Sequence, residues 1–252
     1  MSSLKADFDR RTMGRRAFLQ KSGAVLAVSA LPGALSVARA AHATGGDTLK
    51  VALIGCGGRG AGAAAQALST SGSVKLWAMA DLFADKLETS LAALCTGQDA
   101  QYDRAAHKGL AGKIEVPPER RFIGFDAYRK AIDCGVDVVI LTTAPHFRSI
   151  HFEYAVRQGK HAFLEKPVAV DAVGIRRVLA AAEVARQKNL KVGVGLQRHH
   201  DPLYLETVQR IRDGAIGEVV YQRAYWNGTG YRVRPAREPG MTEMTYQLRN
   251  PY

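Results

Sequence analysis

Six residues that read as a buried strand, Leu49–Ile54, run directly into Gly55-Cys56-Gly57-Gly58-Arg59-Gly60 and then into an alanine-rich stretch. Glycines at the first, third and sixth positions of that turn relieve three different kinds of crowding. The first permits the tight turn, the second lets a pyrophosphate come up against backbone, and the third lets the following helix lie close on the strand. Phosphates then meet the N-terminus of that helix. A second strand pattern, residues 74–80, ends on Asp81, 21 residues after Gly60. This is near the spacing at which a carboxylate takes the ribose hydroxyls of NAD. The same carboxylate repels a 2′-phosphate, and Leu82-Phe83-Ala84-Asp85 brings no arginine to offset it. The pattern therefore predicts NAD rather than NADP, held by Gly55, Gly57, Gly58, Arg59, Gly60 and Asp81.

Composition sets wide bounds. The chain has 252 residues, 47% hydrophobic and 23% charged, which fits one or two globular domains. Of the net charge of +12, a share comes from the first 40 residues, which hold seven basic and two acidic side chains. The remaining excess is scattered through Arg104, Arg120, Arg129, Arg157, Arg176, Arg212 and Arg232, with no stripe of interleaved aromatics. Nucleic-acid binding is therefore not expected. Cys56, Cys95 and Cys134 are an odd and sparse set, so no disulfide framework is implied.

The amino terminus reads as an address. Gly14-Arg15-Arg16-Ala17-Phe18-Leu19-Gln20-Lys21 resembles the twin-arginine export motif, and residues 24–31 are mildly apolar but too short to span a bilayer. Ala38-Arg39-Ala40 and Ala41-His42-Ala43 fit cleavage sites. The alternative is a solvated basic helix. On the export reading, residues 1–44 are a signal peptide and linker, the twin-arginine translocation machinery is a partner, and the mature protein is periplasmic.

From Thr48 onward, strand and helix patterns alternate, which predicts a parallel sheet with helical crossovers. The pattern places helices at 82–94, 126–132 and 147–158, strands at 137–141, His161–Leu164 and 191–195, and a long polar insertion at 95–125. Asp171 is placed to cap a helix reaching Lys188. Beyond Asp201-Pro202 come a helix to Arg212, a strand at 218–226 and an aperiodic loop at 228–252. The expected class is α/β, a Rossmann-type doubly wound parallel sheet over 45–198, followed at 199–252 by the beginning of an incomplete α+β substrate domain.

Ligands of open parallel sheets bind beyond the carboxyl ends of strands. The residues there are Thr142-Thr143-Ala144-Pro145-His146, Glu165-Lys166-Pro167 and Gln197-Arg198-His199-His200. Together with the glycine turn, this spacing resembles the glucose-fructose oxidoreductase, inositol dehydrogenase and MocA (Gfo/Idh/MocA) family over residues 49 to 225. The run from Val192 to Trp226 resembles an exported branch whose members carry twin-arginine leaders. The resemblance implies that Lys166 faces both the substrate hydroxyl and the nicotinamide. An ammonium partly desolvated beside a positively charged nicotinamide would have a lowered pKa and could exchange a proton with a carbinol. Glu165 would hold it, and Pro167 matches a proline often cis in the family.

The resemblance further implies that Thr143, Pro145 and His146 line the nicotinamide ribose, with Glu165 and Lys166 beside them. His146 reads equally as a helix-start histidine bonded to backbone. Arg198 would lie near substrate, and of His199 and His200, adjacent on a strand, at most one would face the pocket. Two adjacent histidines make a poor metal site, so no metal is assigned. The family's second domain runs well past a hundred residues, whereas about fifty follow Asp201 here, so the chain is expected to be truncated and itself weakly active or inactive. The implied function is an exported NAD-dependent oxidoreductase acting on a sugar or polyol. A homo-oligomer is open for a complete form. No free nicotinamide pool is expected outside the cytoplasm, so the cofactor would stay bound and be recycled. A redox-neutral NAD-dependent glycosidase and a non-catalytic nucleotide-binding remnant remain as alternatives.

Overall fold

The computed structural model describes residues 48–97, 109–228 and 235–250. The twin-arginine segment, part of the polar insertion and the stretch 229–234 lie outside the described residues. Six parallel strands form one sheet: β1 (Leu49–Ile54), β2 (Val74–Asp81), β3 (Arg121–Ile123), β4 (Val138–Leu141), β5 (His161–Leu164) and β6 (Val192–Val194), in the order β3-β2-β1-β4-β5-β6. The order reverses between β1 and β4, which is the doubly wound arrangement expected, and opens a crevice at that point.

Parallel strands are buried on both faces, and the alternation of side chains divides the core in two. Val51 and Leu53 of β1 face α1 (Gly58–Leu68) and α2 (Ala84–Thr96), packing with Ala64, Leu68, Leu87 and Leu94. Ala52 and Ile54 face the other way, into a cluster built by α3 (Ala127–Asp133), α4 (Pro145–Arg157) and α5 (Ala172–Gln187). Truncating a fully buried side chain such as Leu53 costs about 2–5 kcal/mol.

Helix ends follow local chemistry. Asp171 caps α5 by accepting from the Gly174 amide at 2.6 Å, as expected. Asp201 caps α6 (Pro202–Arg212) by accepting from the Leu203 amide at 2.9 Å, with Pro202 at the first helical position. α4 begins at Pro145, two residues earlier than the pattern indicated, because proline also suits that position.

Four expectations are corrected. The insertion holds β3, whose Arg-Phe-Ile pairs with Met79–Asp81 and is too short to show an alternation. The expected strand at 218–226 does not form: a strand needs a neighbour to hydrogen-bond with, and among the described residues no strand follows β6. The expected loop at 228–252 contains α7 (Glu243–Arg249), capped by Thr242, whose hydroxyl accepts from the Thr245 amide at 3.1 Å. Gln197–His200 is a 3₁₀ turn rather than part of a strand, so the two-faced argument for His199 and His200 does not apply, and both are exposed.

Candidate functional site

The strand register brings the candidate residues to one level. Ile54 lies opposite Ala80 of β2 and Leu141 of β4, Leu141 opposite Leu164 of β5, and Leu164 opposite Val194 of β6. One row of backbone bonds then crosses the sheet: Gly55 donates to Ala80 at 2.8 Å, Thr142 to Ile54 at 2.8 Å, Glu165 to Leu141 at 3.0 Å, and Gly195 to Leu164 at 2.8 Å. Beyond that row lie the glycine turn, Asp81, the Thr142-Thr143 turn and Glu165-Lys166.

Each glycine meets its expected demand. Gly55 has φ of 100°, and a Cβ there would lie 2.4 Å from the Thr143 amide nitrogen. A Cβ on Gly60 would lie 2.0 Å from the Gly55 carbonyl oxygen, so only glycine lets α1 pack against the turn. Gly57 has open space where its Cβ would be and, with Gly58, is exposed. It caps α1 without any side-chain bond, and no acidic residue occupies the first turn, so the amides there are free of an internal carboxylate and suit a pyrophosphate.

Asp81 organises this turn. Its carboxylate accepts from the Cys56 amide at 2.6 Å and from the Phe83 amide at 2.9 Å. Cys56 is buried, its thiol donates to the Ala80 carbonyl at 3.4 Å, and burial pushes its pKa well above the usual thiol value, so it serves as a small filler. Beside Asp81 a mostly apolar cleft is lined by Ile54, Phe125, Tyr128, Thr143, Phe147 and His151. An apolar slot next to this carboxylate suits a flat aromatic ring such as adenine.

His151 went unnoticed in the sequence. Its ring stacks on Tyr128 with centroids 4.1 Å apart, and its Nδ1 lies 3.3 Å from the Thr143 hydroxyl. Burial first, then the charge of Arg148, lowers its pKa to about 4, so it is a neutral ring at pH 7. Arg148 is also buried; its guanidinium donates to the Thr143 carbonyl at 2.5 Å and to the Pro167 carbonyl. It ties the turn after β4 to the turn after β5. Pro145 is buried at the start of α4, while His146 is exposed with its ring centroid 4.0 Å from that of Phe147.

The turn after β5 departs from expectation in one respect. Glu165 is buried, but its partner is Arg59, at 2.7 Å, rather than the Lys166 amine. Its other oxygen accepts from the Lys166 amide at 3.3 Å. Gly195 makes room for it, since a Cβ there would come within 2.7 Å of that carboxylate. Arg59 therefore joins the glycine turn to the lysine turn, and a charged pair with one buried member is a strong tie. The Lys166-Pro167 bond is cis, as the resemblance implied. The Lys166 side chain is exposed, so the described residues do not supply the desolvation expected for it. Arg198 is exposed too, donates to the Tyr204 hydroxyl at 3.0 Å and lies 5.1 Å from the Trp226 ring centre.

A further cation reaches the site from far along the chain. Arg249 of α7 makes two bonds of 2.9 Å to Asp85, and its guanidinium sits 4.1 Å from the Phe83 ring centre. No local motif could announce it, because 164 residues separate the pair.

Comparison with known proteins agrees with this geometry. Residues 49–196 match the model of the GFO_IDH_MocA oxidoreductase family, NAD-binding Rossmann fold. Inositol 2-dehydrogenase of Rhizobium meliloti (strain 1021) is 31% identical over 172 residues, 68% of this chain and 43% of that protein. The scyllo-inositol 2-dehydrogenase (NAD(+)) of Bacillus subtilis (strain 168) is 30% identical over 105 residues, 42% of this chain and 30% of that protein. The chain thus spans less than half the length of these relatives. Among solved structures, apo scyllo-inositol dehydrogenase from Lactobacillus casei shares the fold with a TM-score of 0.51 at 24% identity, covering 69% of this chain and 44% of that one. With the family's model matched from β1 through β6 and its glycine turn, acid and Glu-Lys-Pro segment gathered at one sheet edge, the chain belongs to the Gfo/Idh/MocA oxidoreductase family and carries its NAD-binding Rossmann fold.

Proposed function

We propose that this chain is the nucleotide-binding part of an exported, NAD-dependent oxidoreductase acting on a sugar or cyclic polyol. The observation that carries the reading is the common row of strand ends, which sets Gly55, Asp81, Thr143 and Lys166 along one edge of the crevice between β1 and β4. Gly57, Gly58 and the free amides of α1 would hold the pyrophosphate, and Asp81 the adenosine ribose. Arg59 and Arg148 fix the Glu165-Lys166-Pro167 turn so that the exposed ammonium of Lys166 faces outward. There it can polarise a carbinol oxygen and exchange its proton. Bound NAD supplies the acceptor for the hydride.

The inositol dehydrogenases among the relatives support a polyol substrate. The Arg15-Arg16 motif supports export, and export favours a cofactor that stays bound and is recycled in each cycle. Residues 199–252 would open the substrate domain. Exposed apolar side chains at Leu203, Leu205, Val220 and Trp226 support this, because such a surface is normally covered.

The test has two stages. Calorimetric titration of the 252-residue chain with NAD should show one site per chain, and absence of binding refutes the reading. Reading frame beyond Tyr252 should then be sought, and the extended protein mixed with inositols and aldoses while the absorbance of bound NADH is followed. A protein that binds NAD but reduces it with no member of that panel is not the enzyme proposed.

A further inference from the structure

The carboxylate of Asp81 accounts for NAD selectivity only if no cation stands nearby to receive a 2′-phosphate. Leu82-Phe83-Ala84-Asp85 contains none and Lys86 follows Asp85, while the fold brings an arginine. The Arg249 guanidinium lies over Phe83, 4.1 Å from its ring centre, and the amide of Phe83 donates to Asp81 at 2.9 Å. The guanidinium therefore sits over the residue next but one to the ribose-binding carboxylate. Both of its terminal nitrogens donate to Asp85, each at 2.9 Å.

An ion pair with Asp85 about half exposed contributes little to stability, so the pair needs another explanation than holding the fold together. Arginine presents a rigid fork that matches a phosphate as well as a carboxylate, and the edge of it held by one is closed to the other. We propose that Asp85 is a second determinant of nucleotide selectivity, which by occupying Arg249 withholds from a 2′-phosphate the guanidinium that would otherwise receive it. Asp81 rejects the phosphate by repulsion, and Asp85 rejects it by competition. The bond to Asp85 chiefly, with smaller shares from the charges of Glu238 and then Asp81, raises the pKa of Arg249.

The inference rests on the NAD-binding reading, and the experiment separates the two. Dissociation constants for NAD and NADP are measured by calorimetry, at low and high salt, for the unaltered chain, Asp81→Ser, Asp81→Ser with Asp85→Asn, and that double variant with Arg249→Gln. Asp85 and Arg249 lie at the surface, so their replacement leaves the core intact, and the hydroxyl introduced by Asp81→Ser keeps an acceptor for the Cys56 and Phe83 amides. Adding Asp85→Asn to Asp81→Ser should tighten NADP about tenfold or more, the effect of one hydrogen bond between charged groups, and change NAD by less than about threefold. Adding Arg249→Gln should remove the gain, and high salt should shrink it. NADP binding no tighter in the double variant, or a gain that survives loss of Arg249, overturns the inference while leaving the NAD reading intact. An unaltered chain that binds no NAD overturns both.

Discussion

Gly57 and Gly60 are two residues of one turn, yet the same substitution should do different things at each. In Gly60→Ala the new methyl meets the Gly55 carbonyl oxygen at 2.0 Å and the Thr142 hydroxyl at 2.8 Å. The first neighbour is backbone, held by the Gly55 bond to Ala80, and cannot swing aside. Alanine gains about 1 kcal/mol of helix propensity over glycine, while overpacking of this kind costs about 1–3 kcal/mol and sometimes more. The clash lies at the severe end, so a net loss of about 1–2 kcal/mol is expected. In Gly57→Ala the methyl meets nothing within 4 Å, and φ of −76° with ψ of 178° is open to alanine. Reduced freedom of the unfolded chain stabilises by about 0.4–1 kcal/mol, offset by the poorer cap. Stability should thus stay within about 0.5 kcal/mol of the parent, but the methyl occupies the surface a pyrophosphate must approach, and NAD affinity should fall at least about tenfold, about 1.4 kcal/mol. Urea midpoints at constant slope give the first quantity and calorimetric titration the second. If Gly57→Ala proved as unstable as Gly60→Ala, or bound NAD with parental affinity, the division of labour within the turn would be wrong.

Other expectations follow from single residues. His151 is neutral when folded, with a pKa of about 4, and takes an ordinary value near 6.5 when unfolded. The unfolded chain therefore binds more protons as pH falls through that window. Stability from this group is fully present above about pH 6.5 and falls by about 3 kcal/mol by pH 4. His151→Gln should flatten the urea-derived profile there, and parallel profiles for variant and parent would dismiss the account. Lys166→Ala in the extended protein should lower turnover by about two to four orders of magnitude while NAD affinity changes far less, and a loss confined to NAD binding would make Lys166 a cofactor anchor. Replacing Arg15 and Arg16 together by lysine keeps the charge but removes the paired guanidinium groups, and processed protein should no longer appear in the periplasm. Its continued appearance there counts against the twin-arginine reading.

What could be read from the sequence was local. The strand, glycine turn and acid lie within about thirty residues, and each obeys a rule of backbone crowding or spacing. Asp171 was legible for the same reason, since a cap bonds amides two or three residues on, and the helix after Asp201-Pro202 was placed though its cap was not. The rest depends on where the sheet places distant segments. Arg59 meets Glu165 across 106 residues, and Arg249 meets Asp85 across 164. His151 looked like one more polar residue in a helix until the fold turned it onto Tyr128. The run 218–226 has strand composition, but composition does not provide a neighbouring strand.

The shared level of the strand ends bears on which length changes the chain can accept. Insertion of one residue within β4 would advance the Thr142-Thr143 turn by one step and reverse every side chain after it, exchanging core face for core face. Arg148 would lose its carbonyl on Thr143, and the pull would pass to Pro167 and Lys166. The later part of the connection between α2 and β3 is also held, since Ile114 bridges Leu76 of β2, the Glu115 amide donates to the Leu76 carbonyl at 2.8 Å, and Leu110 and Val116 are buried. Extra residues between Gly97 and Gly109 lengthen a connection whose closure cost grows only slowly with length. Relatives of this chain should therefore differ in length more freely between Gly97 and Gly109 than from Leu110 to β3, and almost never within β1, β4 or β5, and a library of single-residue insertions scored by bound NAD would map that boundary directly.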